Sequence, residues 1–104
     1  MYLARVVGTV VTPVQHPFLD GKTLLLVRRL EPDGRVGAGD RVAVDAAQAG
    51  AGDLVLVLEE GNSARSIFGD PKAPVRSVVV GVVDEVEIDG TVTLRNGRNG
   101  DWAP

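Results

Sequence analysis

Val6-Val7-Gly8-Thr9-Val10-Val11, Leu24-Leu25-Leu26-Val27 and Val78-Val79-Val80-Gly81-Val82-Val83 are the runs that decide the fold. β-Branched side chains have a restricted χ1 and suit a pleated surface better than a helix, so these valine-rich runs read as strands. Outward from them, strands are expected over Tyr2 to Thr12, Lys22 to Leu30, Arg41 to Val44, Leu54 to Glu59, Val78 to Ile88 and Thr91 to Leu94. Gly, Pro or Asp bounds each one. Pro32-Asp33-Gly34 and Asp89-Gly90 supply residues that accept the positive φ of tight hairpin turns. One stretch has helical character: Asn62 or Ser63 as cap, Ala64 to Phe68 as a turn or two, and Gly69-Asp70-Pro71 as the stop. The polar, proline-punctuated run from Gly69 to Pro74 reads as a surface loop. The expectation is all-β, one small barrel with a short helix.

A half-solvated antiparallel strand alternates apolar and polar residues, and the three runs above do not. A small barrel has only one inside, so their outward apolar faces need a cover. No long amphipathic helix is present in the sequence, and the economical cover is another copy of the chain. The alternative is that the short helix and the loop after it suffice.

At 104 residues the chain is the size of one domain. It has no cysteine, which removes disulfides and thiolate metal sites and favours an intracellular home. Eleven basic against fourteen acidic residues give a net charge of −3, with the signs interspersed, so no polyanion partner is advertised. The start, Met1-Tyr2-Leu3-Ala4-Arg5, lacks a signal-peptide pattern, and no apolar run approaches the roughly 18 residues of a membrane span. A cytoplasmic chain with no membrane partner is expected.

Several motifs invite a chemical reading. Gly50-Ala51-Gly52-Asp53 suggests a phosphate loop, yet position 55 is Val and a strand follows instead of a helix. A tight turn with close backbone approach is the better reading. Ser63 in Gly61-Asn62-Ser63-Ala64-Arg65 suggests a nucleophile turn, but position 65 is not Gly, and the only histidine, His16, precedes Pro17 in a loop. Asp45 and Asp84 have no identifiable acid or base partner and read as structural. One His without Cys does not make a metal site.

The chain resembles the EutN/CcmL family of bacterial microcompartment vertex proteins in five ordered blocks. Met1 to Val11 and Leu19 to Val27 resemble the family's first two strands, and Val44 to Val57 its Asp-Ala-Val-Gly-Ala-Gly segment and the strand after it. Gly61-Asn62-Ser63-Ala64-Arg65 is similar to its Gly-Ser-Ser-Ala-Arg, and Val80-Gly81-Val82-Val83-Asp84 to its closing strand. Gln48 stands where the family usually has Gly, Asp53 where Glu is common and Asn62 where Ser is common.

The resemblance implies a five-stranded barrel of OB-like topology in a cyclic pentamer. That pentamer would sit at the five-fold corners of a carboxysome-like shell of hexameric, and also trimeric, tiles, without enzymatic activity or cofactor. It places the family domain over 1–88, with a hairpin strand and flexible tail over 89–104. It also suggests Gly50, Gly52, Asn62, Ser63, Ala64 and Arg65 as the subunit contact, Arg65 bridging to the adjacent chain.

OB-like barrels also bind single-stranded nucleic acid, which needs a basic groove interleaved with aromatic platforms. Tyr2, Phe18, Phe68 and Trp102 are the only aromatics, and the Arg28, Arg29, Arg35 and Arg41 cluster is offset by Glu31, Asp33 and Asp40. No nucleic-acid partner is expected.

Overall fold

The computed structural model describes residues 1–97. Among these residues seven strands form, β1 (Tyr2–Val10), β2 (Leu24–Leu30), β3 (Val36–Asp45), β4 (Leu54–Glu59), β5 (Ser77–Val83), β6 (Glu85–Ile88) and β7 (Thr91–Arg95). The helix α1 (Gly61–Phe68) lies between β4 and β5, and a 3₁₀ turn spans Pro17–Leu19. Strands β1-β2-β3-β5-β4 close into a barrel, and β6 and β7 make a separate two-stranded hairpin. All barrel pairings are antiparallel except β3 with β5, which is parallel and limited to Val44↔Val78 and Asp45↔Val79.

Alternate residues fill the interior, Ala4 and Val6 from β1, Leu25 and Val27 from β2, Val55 and Val57 from β4, with Ala43 and Val79 completing it. Side chains of this size fill a small barrel without leaving a channel. The runs that break alternation coincide with register shifts. Val6 pairs Val27 but Gly8 pairs Leu26, leaving Val7 as an extra residue, and Val57 pairs Val79 while Leu56 pairs Gly81, leaving Val80. Each bulge reverses which face the following residues present, so two valine runs are apolar on both sides partly because the strand changes its inside face midway.

The remaining outward apolar residues are largely covered within the chain. Leu24, Val44 and Val78 pack with Ala64 of α1 and with Ala73 and Val75 of the loop after it, flanked by Phe18 and Phe68. Leu30 and Leu54 pack under Leu94 of the β6–β7 hairpin, with Leu3, Val83 and Val86 around them. The need for a second copy is therefore smaller than the strand patterns suggest. It rests on what stays exposed, including Val36, Val42, Ile67 and Val82.

Two element boundaries differ from expectation. β3 begins at Val36 because Leu30 pairs Val36 and Arg28 pairs Asp40, drawing a Gly- and Asp-containing stretch into the hairpin. The expected strand Val78 to Ile88 breaks at Asp84, a bend between β5 and β6. The hairpin turn expected at Asp89-Gly90 forms between β6 and β7, with φ values of 49° and 83°. The expected flexible tail lies, from residue 98 on, outside the described residues.

Tyr2 plugs the barrel end at the start of β1, with the Arg29 guanidinium 5.0 Å from its ring centre and Glu59 and Arg41 nearby. Its hydroxyl is buried without a hydrogen-bond partner, and burial pushes the phenol's pKa up. An unsatisfied buried hydroxyl costs free energy that a same-shape apolar group does not. Tyr2→Phe is expected to preserve or raise stability, by up to about 1 kcal/mol, whereas Leu25→Ala in the interior should cost about 3 kcal/mol. Urea unfolding at fixed protein concentration measures both, and a large loss in Tyr2→Phe would mean that the hydroxyl has a partner in the assembled protein.

Candidate functional site

The six residues suggested for the subunit contact fall into two turns at opposite ends of β4, Gly50 and Gly52 before the strand and Asn62 to Arg65 after it, so one chain does not bring them together. Asp45, ending β3, accepts hydrogen bonds from the Ala47 and Ala49 N–H groups at 2.9 and 3.1 Å. Gln48, between them, has φ 57°, a left-handed conformation that glycine adopts without steric cost, which accounts for the family's usual Gly there. The buried Asp53 carboxylate then accepts from Gly50 N–H at 2.8 Å, and Asp53 N–H donates to the Gly50 carbonyl at 3.0 Å. Gly52, with φ 88°, sits inside this closed turn and donates to the Val6 carbonyl at 2.8 Å. Gly50-Ala51-Gly52-Asp53 is thus a turn that leads into β4 and is tied to β1.

Arg5, itself buried, donates from Nη1 to the Gly52 carbonyl at 3.3 Å and to the Arg95 carbonyl at 2.7 Å. Gly97 N–H reaches the same Gly52 carbonyl at 3.0 Å. One guanidinium therefore joins this turn to the β6–β7 hairpin. Reading the sequence alone missed Arg5; its one signal is an arginine inside an otherwise apolar strand.

The second turn opens α1. Its cap is Glu60, not Asn62 or Ser63 as expected: the Glu60 carboxylate accepts from Asn62 N–H and Ser63 N–H, both at 2.8 Å. Asn62 and Ser63 are instead the first-turn residues whose free N–H groups need an acceptor. Ala64 is fully buried under the helix. Arg65 folds back over its own helix, its Nη2 donating to Asn62 Oδ1 at 2.6 Å, and an added Cβ on Gly61 would lie 3.0 Å from Arg65 Nη1. Gly69, at φ 65°, ends the helix by donating to the Arg65 and Ser66 carbonyls. Within one chain Arg65 therefore pairs with an amide of its own turn and not with a carboxylate.

None of this assembles reaction chemistry. His16 Nδ1 accepts from Phe18 N–H at 3.0 Å, capping the 3₁₀ turn. Asp84 takes part through its backbone carbonyl, accepting from Asn96 N–H at 2.8 Å. Among the described residues no group of three or more His, Asp or Glu is placed to hold a metal ion, and no helix is long and apolar enough to cross a membrane.

Three of the four arginines of the basic cluster are paired with carboxylates, and Arg29 lies over the Tyr2 ring. Arg28 meets Asp40 through two hydrogen bonds of 3.0 and 3.1 Å, which hold the Asp40 carboxyl below its ordinary pKa; Arg35 meets Asp33 at 2.7 Å and Arg41 meets Glu59 at 3.8 Å. Phe18 and Phe68 stack edge to face 5.3 Å apart, with Lys22 over Phe18. These aromatics pack on one another and do not form a platform for bases.

The Glu60 cap carries a pH signature. Hydrogen bonds from the Ser63 side chain and from the Ser63 and Asn62 N–H groups hold its carboxyl below the ordinary glutamate value. A depressed folded-state value contributes stability above the unfolded value, about 4.3, and loses it as pH falls through the folded one. Glu60→Gln should melt lower than the parent at pH 7, and the gap should close as the pH falls below the ordinary glutamate range. Melting curves from pH 7 to 3 check this, and a gap independent of pH would contradict it.

Against known proteins, residues 1–84 match the family described as ethanolamine utilisation protein EutN/carboxysome. The chain is 51% identical over 88 residues to the bacterial microcompartment shell vertex protein PduN of Salmonella typhimurium, covering 81% of this chain and 96% of that one. Its fold matches the structure of Gloeobacter violaceus CcmL with a TM-score of 0.81 at 34% identity, over 91% of this chain and 97% of the other. It likewise matches the GrpN pentameric microcompartment shell protein from Rhodospirillum rubrum, with a TM-score of 0.75 at 38% identity, over 85% and 99%.

Proposed function

The chain belongs to the EutN/CcmL family, and from that premise we propose that it is a non-enzymatic shell protein whose pentamer closes the vertices of a polyhedral bacterial microcompartment. The observation that carries this reading is the match over nearly the full length of shell vertex proteins, one of whose relatives of known structure is described as pentameric. The geometry of shells supports it. A sheet of hexagonal tiles is flat, and closing it requires a five-fold unit at each corner. A five-fold ring forms from a head-to-tail contact between two different faces of one subunit, whose rotation closes.

Hexameric tiles, and trimeric ones as well, are then the partners at the ring's outer edge, and the shell places the chain in the cytoplasm. Residues 1–88 constitute the vertex domain and 89–104 an appended hairpin strand and tail, in which β7 pairs back onto β6. Of the six residues suggested for the subunit contact, Gly52 and Ala64 are buried in their own chain and hold the shape of the two turns. Gly50, Asn62, Ser63 and Arg65 keep surface with which to meet a neighbour.

Arg65→Ala should lower the concentration and temperature at which the ring stays intact, while the subunit's own fold persists; a ring as resistant to dilution and heating as the parent would remove Arg65 from the contact. The shell role itself is tested by producing hexameric tile proteins with and without this chain. Closed polyhedra are expected with it, and open sheets or tubes without it. Closed shells that form equally well in its absence would overturn the vertex assignment.

A further inference from the structure

We propose that Asn96-Gly97 is a covalent modification site that reacts only when the end of the β6–β7 hairpin lets go of the barrel, and whose product keeps that seam from closing again. The pair is an asparagine followed by glycine. The Gly97 amide nitrogen gives its proton to solvent base and attacks the carbonyl carbon of the Asn96 side chain. A C–N bond forms, the side-chain amide takes up a proton and leaves as ammonia, and a cyclic succinimide closes. Water then opens the ring at either carbonyl and yields aspartate or isoaspartate. Glycine favours the first step because it has no Cβ to hinder the attack or to restrict the backbone rotation that the ring needs.

In the closed structure both reacting nitrogens are engaged. Gly97 is buried, and its N–H donates to the Gly52 carbonyl at 3.0 Å. Asn96 donates from Nδ2, the leaving group, to the Val83 carbonyl at 3.3 Å, and from its backbone N–H to the Asp84 carbonyl at 2.8 Å. Arg5 holds the preceding carbonyl, that of Arg95, at 2.7 Å. The nucleophile is thus tied to the turn before β4 and the leaving group to the end of β5. Bringing one to the other breaks these bonds, so the reaction is confined to local opening of the seam.

The product does not fit the closed seam. A carboxylate at position 96 accepts hydrogen bonds and donates none, so it would set an anionic oxygen against the Val83 carbonyl oxygen. Isoaspartate in addition lengthens the main chain by a methylene between the anchored Arg95 carbonyl and the anchored Gly97 N–H. Each opening that ends in reaction is therefore recorded permanently.

Trypsin cuts after Arg95 and Arg98, which places this pair in a peptide apart from Asn99-Gly100. With the purified chain held at mildly alkaline pH, peptide mass spectrometry follows the mass gain of amide-to-acid conversion. Conversion at Asn96 should be on the order of a hundredfold slower in the folded chain than in the urea-denatured one, because each hydrogen bond that must break lowers the open population several-fold. In urea too dilute to unfold the barrel, conversion should rise in proportion to hydrogen exchange at the Gly97 amide. Asn96→Asp should speed exchange at Gly97 several-fold while the β2 and β4 amides keep their protection. Conversion as fast in the folded chain as in the denatured one would overturn the proposal, as would a rate that does not follow Gly97 exchange. An Asn96→Asp chain whose Gly97 amide is as protected as the parent's would overturn it too, by showing that the product still closes.

Discussion

The barrel closes through a parallel contact only two residue pairs long, Val44 with Val78 and Asp45 with Val79. The other seams are antiparallel, and without this contact they would leave an open, curled sheet with Leu25, Val27 and Val79 facing water. So short a ladder contributes few hydrogen bonds, and packing on its outer side has to carry it. Ala64, Ala73 and Val75 lie over Val44 and Val78 for that purpose. On the chain immediately after, Ala46 N–H continues the ladder to the Val79 carbonyl, and the Asp45 carboxylate organises the next turn. A parallel pair cannot be joined by a hairpin, and the connection runs from β3 through β4 and α1 to β5. The helix caps at Glu60 and Gly69 therefore have a long-range consequence, because they set where β5 enters beside β3.

Much of this was legible in the residues. The valine runs identify the barrel strands, Gly34 and Asp89-Gly90 identify turns that do take positive φ, and Gly69 marks the helix end. The extent of β3 was hidden because Gly37, Gly39 and Asp40 have poor strand propensity, and only their pairing with β2 overrides it. The break at Asp84 was hidden because apolar and β-favouring residues continue on both sides of it. Bulges at Val7 and Val80 were also invisible, and they make one strand look apolar on both faces when it is apolar on each in turn.

The two turns suggested for the contact were legible as turns and not as sets of bonds. Gly61-Asn62-Ser63-Ala64-Arg65 marks α1, but a glutamate N-cap falls outside the usual Ser, Thr, Asp and Asn preference, so Glu60 gave no signal. Family membership identified Gln48 as a departure, and its φ of 57° gives the reason for the family's glycine. Arg5 is tied to partners at positions 52 and 95, separations that no local pattern encodes.

A vertex subunit has to be a rigid block whose surface, and not an interior pocket, does the work. The filled interior, the hairpin clamped by Arg5 and the arginines paired across the rim fit that requirement. Native mass spectrometry of the purified chain across a dilution series tests the ring most directly. A dominant species of five copies of the 10.9 kDa subunit, persisting on dilution, is the predicted result. A monomer that persists at high concentration would contradict it and leave the exposed Val36, Val42, Ile67 and Val82 without a cover.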